Sequence, residues 1–347
     1  MHTLSLAPDG GMVLNYACII KQRLVVVFNT ENLALFDLTN GTRQHQIQTP
    51  PISVCISIGD VQFLICHLTA VCVYTLDETQ TSFNQTVCLN VPEHSFREAC
   101  LIDKNVFATG DFDNNIETWT FSDTVITING TNQPPRSPGA AQYTKTMAAF
   151  PKQTGRFVSG HTGLPPNLFV WQNEPSGVVL ERSIERIGQK SVMDVTIINS
   201  NTIVVCTNNI VFAIQLHAEG EDILSRHQIN NVYPQSWHCM YIQRPTYYAF
   251  CFQHRHWGNF LHIESTNPQA NVVDSECEVE DVVEMLYYLN HVVTCSSDGN
   301  IRFYDLPESV NRSWQSVSLA NHIKKNRTFG NLPRDTLILI HDNLLLI

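Results

Sequence analysis

The stretch VTCSSDGNIRFYDLPE, Val293–Glu308, decides how the rest of the chain is read. Its two flanks, VTCS and NIRFYDL, have the alternating β-branched and aromatic character of strands. Between them SDGN supplies Asp298 and Gly299, the Asp-Gly chemistry of a tight reversal. The stretch reads as a β-hairpin.

Six earlier stretches have the same form. They are LVVVFNTENLALFDL, FLICHLTAVCVYTL, VFATGDFDNNIETWTF, RFVSGHTGLPPNLFVWQ, IVVCTNNIVFAIQL and YAFCFQHRHWGNFLHIE. Aligned on Phe36, Tyr74, Trp119, Trp171, Ile214, Ile263 and Tyr304, the copies recur every 38, 45, 52, 43, 49 and 41 residues. That spacing matches a propeller blade of roughly 40 to 45 residues. Two more strand-like runs flank each hairpin, such as ISVCISIG and FNQTVCLNV around the second and VMDVTIINS and ILSRHQI around the fifth. Four strands per unit predict an all-β fold, a β-propeller of four-stranded antiparallel blades. Seven repeats are clear, with hairpins near 24–38, 63–76, 106–121, 156–172, 203–216, 248–264 and 292–306. The expectation is a single domain over 1–347, with 322–347 as a closing tail and an eighth, partial blade composed from both termini, because closure hides an exposed sheet edge.

The copies FATGDFDNNIETW and VTCSSDGNIRFYD resemble strand b, tight turn and strand c of the WD-repeat family, and the resemblance spans roughly Val13 to Asn321. In that family an Asp of the turn organises a buried hydrogen-bond network with a His and a Ser or Thr from neighbouring strands. Asp113 and Asp298 stand at the matching positions, so the resemblance implies a structural turn role for both. The other five hairpins have no Asp there. The family's Gly-His pair ahead of strand a is also missing, since Gly160 and His161 fall in a b–c turn.

Composition narrows the function. The chain is 43% hydrophobic and 15% charged, values of a globular protein. A formal charge of −11 opposes nucleic-acid binding, which draws its affinity from Lys and Arg on phosphates. No basic leader precedes a long apolar run and no span of about 18 apolar residues occurs, so the sequence reads as that of an intracellular protein without a membrane span, cytoplasmic or nuclear. Eleven cysteines without CxxC pairs read as buried free thiols rather than disulfides or a zinc site.

Few residues carry chemistry. His254, Arg255, His256 and Trp257 cluster in the sixth hairpin, where a partner contact suits Trp and Arg better than a metal suits two imidazoles without a carboxylate or Cys at ligand spacing. The run DSECEVEDVVE, Asp274–Glu284, includes Glu278, Glu280 and Asp281 and could steer a basic partner. A Pro/Gly-rich insertion at Asn129–Gln142 and the turn SGHTGLPPN are candidate recognition loops. No phosphate-cradling loop, G-x-S-x-G elbow, H-E-x-x-H or dinucleotide fingerprint is present.

The expected function is therefore a non-catalytic protein–protein interaction scaffold or substrate-recognition subunit of a multi-subunit complex, with no cofactor or metal. Its contacts are expected in the b–c turns at Phe112, His161, Arg255, His256 and Trp257, beside the acidic run. An alternative is a ubiquitin-ligase adaptor, because LPRDTLILIHDNLLLI, Leu332–Ile347, resembles the opening of an F-box. A less favoured third is an enzyme with its site at a channel mouth, where several blades converge.

Overall fold

The computed structural model describes residues 2–306 except 7–12, 93, 136–141, 152–153, 164–166, 186, 188–190, 229–231, 242–246, 255–257, 267–281 and 290. The chain divides into two compact units, Met1–Tyr304 and Asp305–Ile347, and the described strands build the first.

After a short strand β1 (His2–Ser5), antiparallel sheets follow in chain order. The first holds β2 (Leu14–Ile20), β3 (Arg23–Phe28), β4 (Asn32–Asp37) and β5 (Arg43–Gln48). The second holds β6 (Ile52–Ser57), β7 (Gln62–His67), β8 (Ala70–Leu76) and β9 (Phe83–Asn90). The third holds β10 (Phe96–Asp103), β11 (Val106–Asp111), β12 (Ile116–Phe121) and β13 (Ile126–Asn132). The fourth holds β14 (Thr144–Ala149), β15 (Arg156–His161), β16 (Leu168–Glu174) and β17 (Gly177–Ser183). The fifth holds β18 (Val192–Asn199), β19 (Thr202–Thr207), β20 (Ile210–His217) and β21 (Gly220–Gln228). A three-stranded sheet follows, β22 (Val232–Tyr241), β23 (Tyr247–His254) and β24 (Gly258–Ser265). The last begins with β25 (Val282–Tyr288), β26 (His291–Ser296) and β27 (Asn300–Asp305).

Its fourth strand is β1, antiparallel to β27 with His2 opposite Phe303 and Ser5 opposite Asn300. This corrects the expected assignment of the N-terminal strand to a composite eighth blade: it completes the sheet already begun by β25–β27. The segment 322–347, with its F-box-like stretch, lies outside the described residues. Among the described residues, six sheets are thus four-stranded and one has three strands. Their first strands pack in succession, β2 on β6, β10, β14, β18, β22 and β25, and β25 packs back on β2. They form a closed propeller ring around a central channel.

Burial explains why the repeat has its pattern. Naming strands a to d from the channel outward, strands b and c are buried on both faces and read as continuous apolar runs such as LVVVF in β3. Strand d is largely exposed and polar, as in β9. The recurring large residue of strand c lies opposite strand b: Phe36 faces Leu24, Tyr74 faces Phe63, Trp119 faces Phe107 and Trp171 faces Phe157. In each of these blades the c–d ladder shifts register just before that residue. The recurring aromatic or aliphatic position is thus one packing site repeated.

Neighbouring blades also meet closely. A Cβ on Gly160 would overlap Val192 of the next blade and Thr146 of its own, and a Cβ on Gly110 would overlap Thr144 of the next blade. The matching strand-b positions hold Val27, Cys66, Cys206, Cys251 and Cys295, so four cysteines sit where the seam calls for small residues. We expect Gly160→Ala to destabilise by about 2 kcal/mol through overpacking, read as a lower denaturant midpoint with an unchanged slope.

Eight free cysteines among the described residues are buried, as the sequence implied. The exclusion of disulfides is corrected by Cys72 and Cys88, which face each other across β8 and β9 and are bonded, with Cα atoms 4.0 Å apart. The pairing follows from strand register, which places the two cysteines directly opposite.

Candidate functional site: the channel mouth

Each strand a is irregular near its start. Register shifts fall between Leu14 and Tyr16, Ile52 and Val54, Phe96 and Glu98, Thr144 and Thr146, Val192 and Asp194, and Val282 and Glu284. Such bulges insert an extra residue and re-aim its neighbours. They bring Arg97, Lys145, Glu98, Asp194 and Glu284 to a channel of about 980 Å³, together with His238 of β22. The acidic positions are 96 and 90 residues apart, two repeat lengths in each case, and each is the third residue of its strand a.

Burial is the main cause of the raised pKa of all three carboxyls. Glu98 is pushed up to about 8, with Asp194 adding to the rise and Lys145 and Arg97 opposing it. Glu284 is pushed well up by burial and then by Asp194 and Glu98. Asp194 also rises, though Thr146 Oγ1 donates to it at 2.7 Å and the Cys239 N–H at 2.8 Å. Burial lowers His238, leaving it a neutral imidazole despite Asp194 at 4.0 Å. Among the described residues, no three His, Cys, Asp or Glu side chains gather closely enough to share a metal ion.

The rim above these groups is apolar. Leu68 and Phe112, from the b–c turns of the second and third blades, border the channel with 51% and 48% of their surface exposed. The Phe112 ring lies 5.8 Å from Tyr143, and the Arg97 guanidinium lies 4.9 Å from each ring centroid. Arg97 is therefore held by aromatic faces, a cation–π arrangement that also orders the turn.

The other sequence-derived candidates have different fates. His161 is fully buried and does not present a contact surface. Its Nδ1 lies 2.5 Å from Asn114 Oδ1 and its Nε2 lies 2.6 Å from Ser159 Oγ, which accepts the Trp171 indole N–H at 2.7 Å. Burial lowers its pKa to about 3, so the ring is neutral. The consistent proton order is Trp171 to Ser159, Ser159 to His161, and His161 to the Asn114 carbonyl. Asn114 belongs to the third blade and the others to the fourth, so this chain ties two blades together. Asp113, to which the resemblance gives a structural turn role, is exposed, and its neighbour Asn114 is the buried residue of that turn. Asp298 accepts from the Asn300 backbone N–H at 2.9 Å and from its side-chain amide at 2.5 Å. Arg255, His256, Trp257, Glu278, Glu280 and Asp281 lie outside the described residues.

Sequence reading missed Leu68, Arg97 and Tyr143 at the rim and Glu98 and Asp194 below it, and it took Glu284 only as the end of the acidic run. The signal available for the last three was the recurrence of an acid inside strand a.

No protein-family model matches the chain. No curated protein matches it. Its structure is similar to the β-propeller domain of Cps50 (Swd1) from Myceliophteria thermophila, with a TM-score of 0.66 and 12% identity, covering 88% of this chain and 99% of that one. Among the described residues, no helix is long and apolar enough to cross a membrane.

Proposed function

We propose that this chain is a non-catalytic protein-interaction propeller of the WD-repeat type, with seven blades, that docks a protein partner on the b–c turn face at the channel mouth. The blade count rests on the cycle of seven first strands, with the three-stranded sheet counted as one blade. The observation that carries the function is the pair of exposed apolar side chains, Leu68 and Phe112, on adjacent turns of a rigid ring. Beside them stands an aromatic-held Arg97. Aromatic residues and Arg on a pre-ordered surface are what binding hot spots are made of.

The test is affinity purification of the intact chain from its own cells, beside Phe112→Ala and Leu68→Asp variants, with mass spectrometry of what remains bound. A stoichiometric protein partner should be retained by the wild type. Phe112→Ala should weaken it by roughly 30-fold, a loss of about 2 kcal/mol. Equal retention by all three proteins would show that the partner docks elsewhere than at the mouth.

A further inference from the structure

We propose that Cys18 and Cys55 form an oxidation site, a dithiol that closes into a disulfide joining the first two blades. Cys18 lies on β2 and Cys55 on β6, with their sulfur atoms 3.6 Å apart. Both are buried against the strands, at 5% and 6% exposure, yet both border the central channel. A disulfide brings two sulfurs to about 2.05 Å, so closure needs roughly 1.5 Å of approach, within reach of small side-chain rotations.

The reaction is a two-electron oxidation by a peroxide. One thiolate attacks the O–O bond of hydrogen peroxide, forming a sulfenic acid, while the departing hydroxide takes up a proton as water. The second thiolate then attacks that sulfur, the S–S bond forms, and the sulfenic oxygen leaves as a second water. Two thiols and one peroxide thus give one disulfide and two waters.

The position of the pair makes it selective. Cys206 and Cys239 also touch across a blade seam, between β19 and β22, but only Cys239 of that pair borders the channel. A solute entering the channel reaches both members of the first pair and one of the second. The hydrogen bond to Cys18 and then burial push the Cys55 thiol well up, so little thiolate exists at neutral pH and closure accelerates as pH rises. This inference does not depend on the docking surface.

The test treats the purified full chain with hydrogen peroxide at the dose that converts Met193, another channel-bordering residue, to its sulfoxide. Free thiols are then alkylated in denaturant and the chain is digested without reduction for peptide mapping. The expected product joins the peptides of Cys18 and Cys55, while Cys100 and Cys206 remain alkylated, and the yield at fixed time rises between about pH 7 and about pH 9. In Cys18→Ser the cross-link disappears and Cys55 is recovered as a thiol or sulfinic acid. Cys18 and Cys55 recovered as alkylated thiols beside oxidised Met193 would overturn the proposal, as would equal cross-linking between Cys206 and Cys239.

Discussion

Titrated from about pH 6.5 to about pH 8, the protein loses on the order of 2 kcal/mol of folding stability, and Glu98→Gln loses markedly less. In the unfolded chain Glu98 gives up its proton near the usual glutamate value, whereas in the folded channel it holds the proton to about 8. Between those values the folded state carries a proton the unfolded state has lost. Stability therefore falls as pH rises through the window, by about 1.4 kcal/mol per pH unit for one group. Glu284 and Asp194 act in the same direction.

His161 supplies the opposite limb. Its folded pKa, lowered to about 3, leaves the unfolded chain binding the extra proton at acid pH, so stability falls as pH drops from about 6.5. His67 and His238 are lowered by burial too and add to that limb. The slopes of Glu98 and His161 oppose one another between about pH 4.5 and about pH 6.5, so stability is greatest and flattest there. Urea denaturation across pH, with Glu98→Gln beside the wild type, reads both limbs. An alkaline slope identical in the two proteins would show that Glu98 ionises normally.

The second large effect is expected from Ser159→Ala. Ser159 accepts the Trp171 N–H and donates to His161, and all three side chains are buried. Removing the hydroxyl leaves two polar groups without partners inside the fold, at about 1–3 kcal/mol each. We expect a loss of about 3 kcal/mol. Thr109→Ala, which removes only the acceptor for the Trp119 N–H, should cost about half as much. Denaturant midpoints for the two variants decide the matter, and equal losses would mean that the Asn114–His161 extension adds nothing.

The parts of this fold that were legible in sequence are those fixed by local chemistry. Asp298 and Gly299 reverse the chain because an Asx turn and a positive φ of 80° at the glycine are properties of the residues themselves. The antiparallel, four-stranded, all-β architecture followed from the repeated hairpin and its flanking runs. What escaped was set by contacts between distant segments. His2–Ser5 could not reveal from its own composition that β27 would offer it an edge. Cys72 and Cys88 meet only once strand register is known. His161 looked like an exposed turn residue because Asn114, its partner, is 47 residues away on another blade. The acids of the channel were visible as anomalies within strand a, but their convergence is a property of the closed ring.

Docking at the b–c mouth is read by hydrogen exchange on the intact chain with and without its purified partner. Bound partner should protect residues 28–32, 67–70 and 111–116, the b–c turns of the first three blades, and leave the c–d turns at 38–42, 77–82 and 122–125 unchanged. Protection confined to those c–d turns, with the b–c turns exchanging as in the free protein, would contradict it.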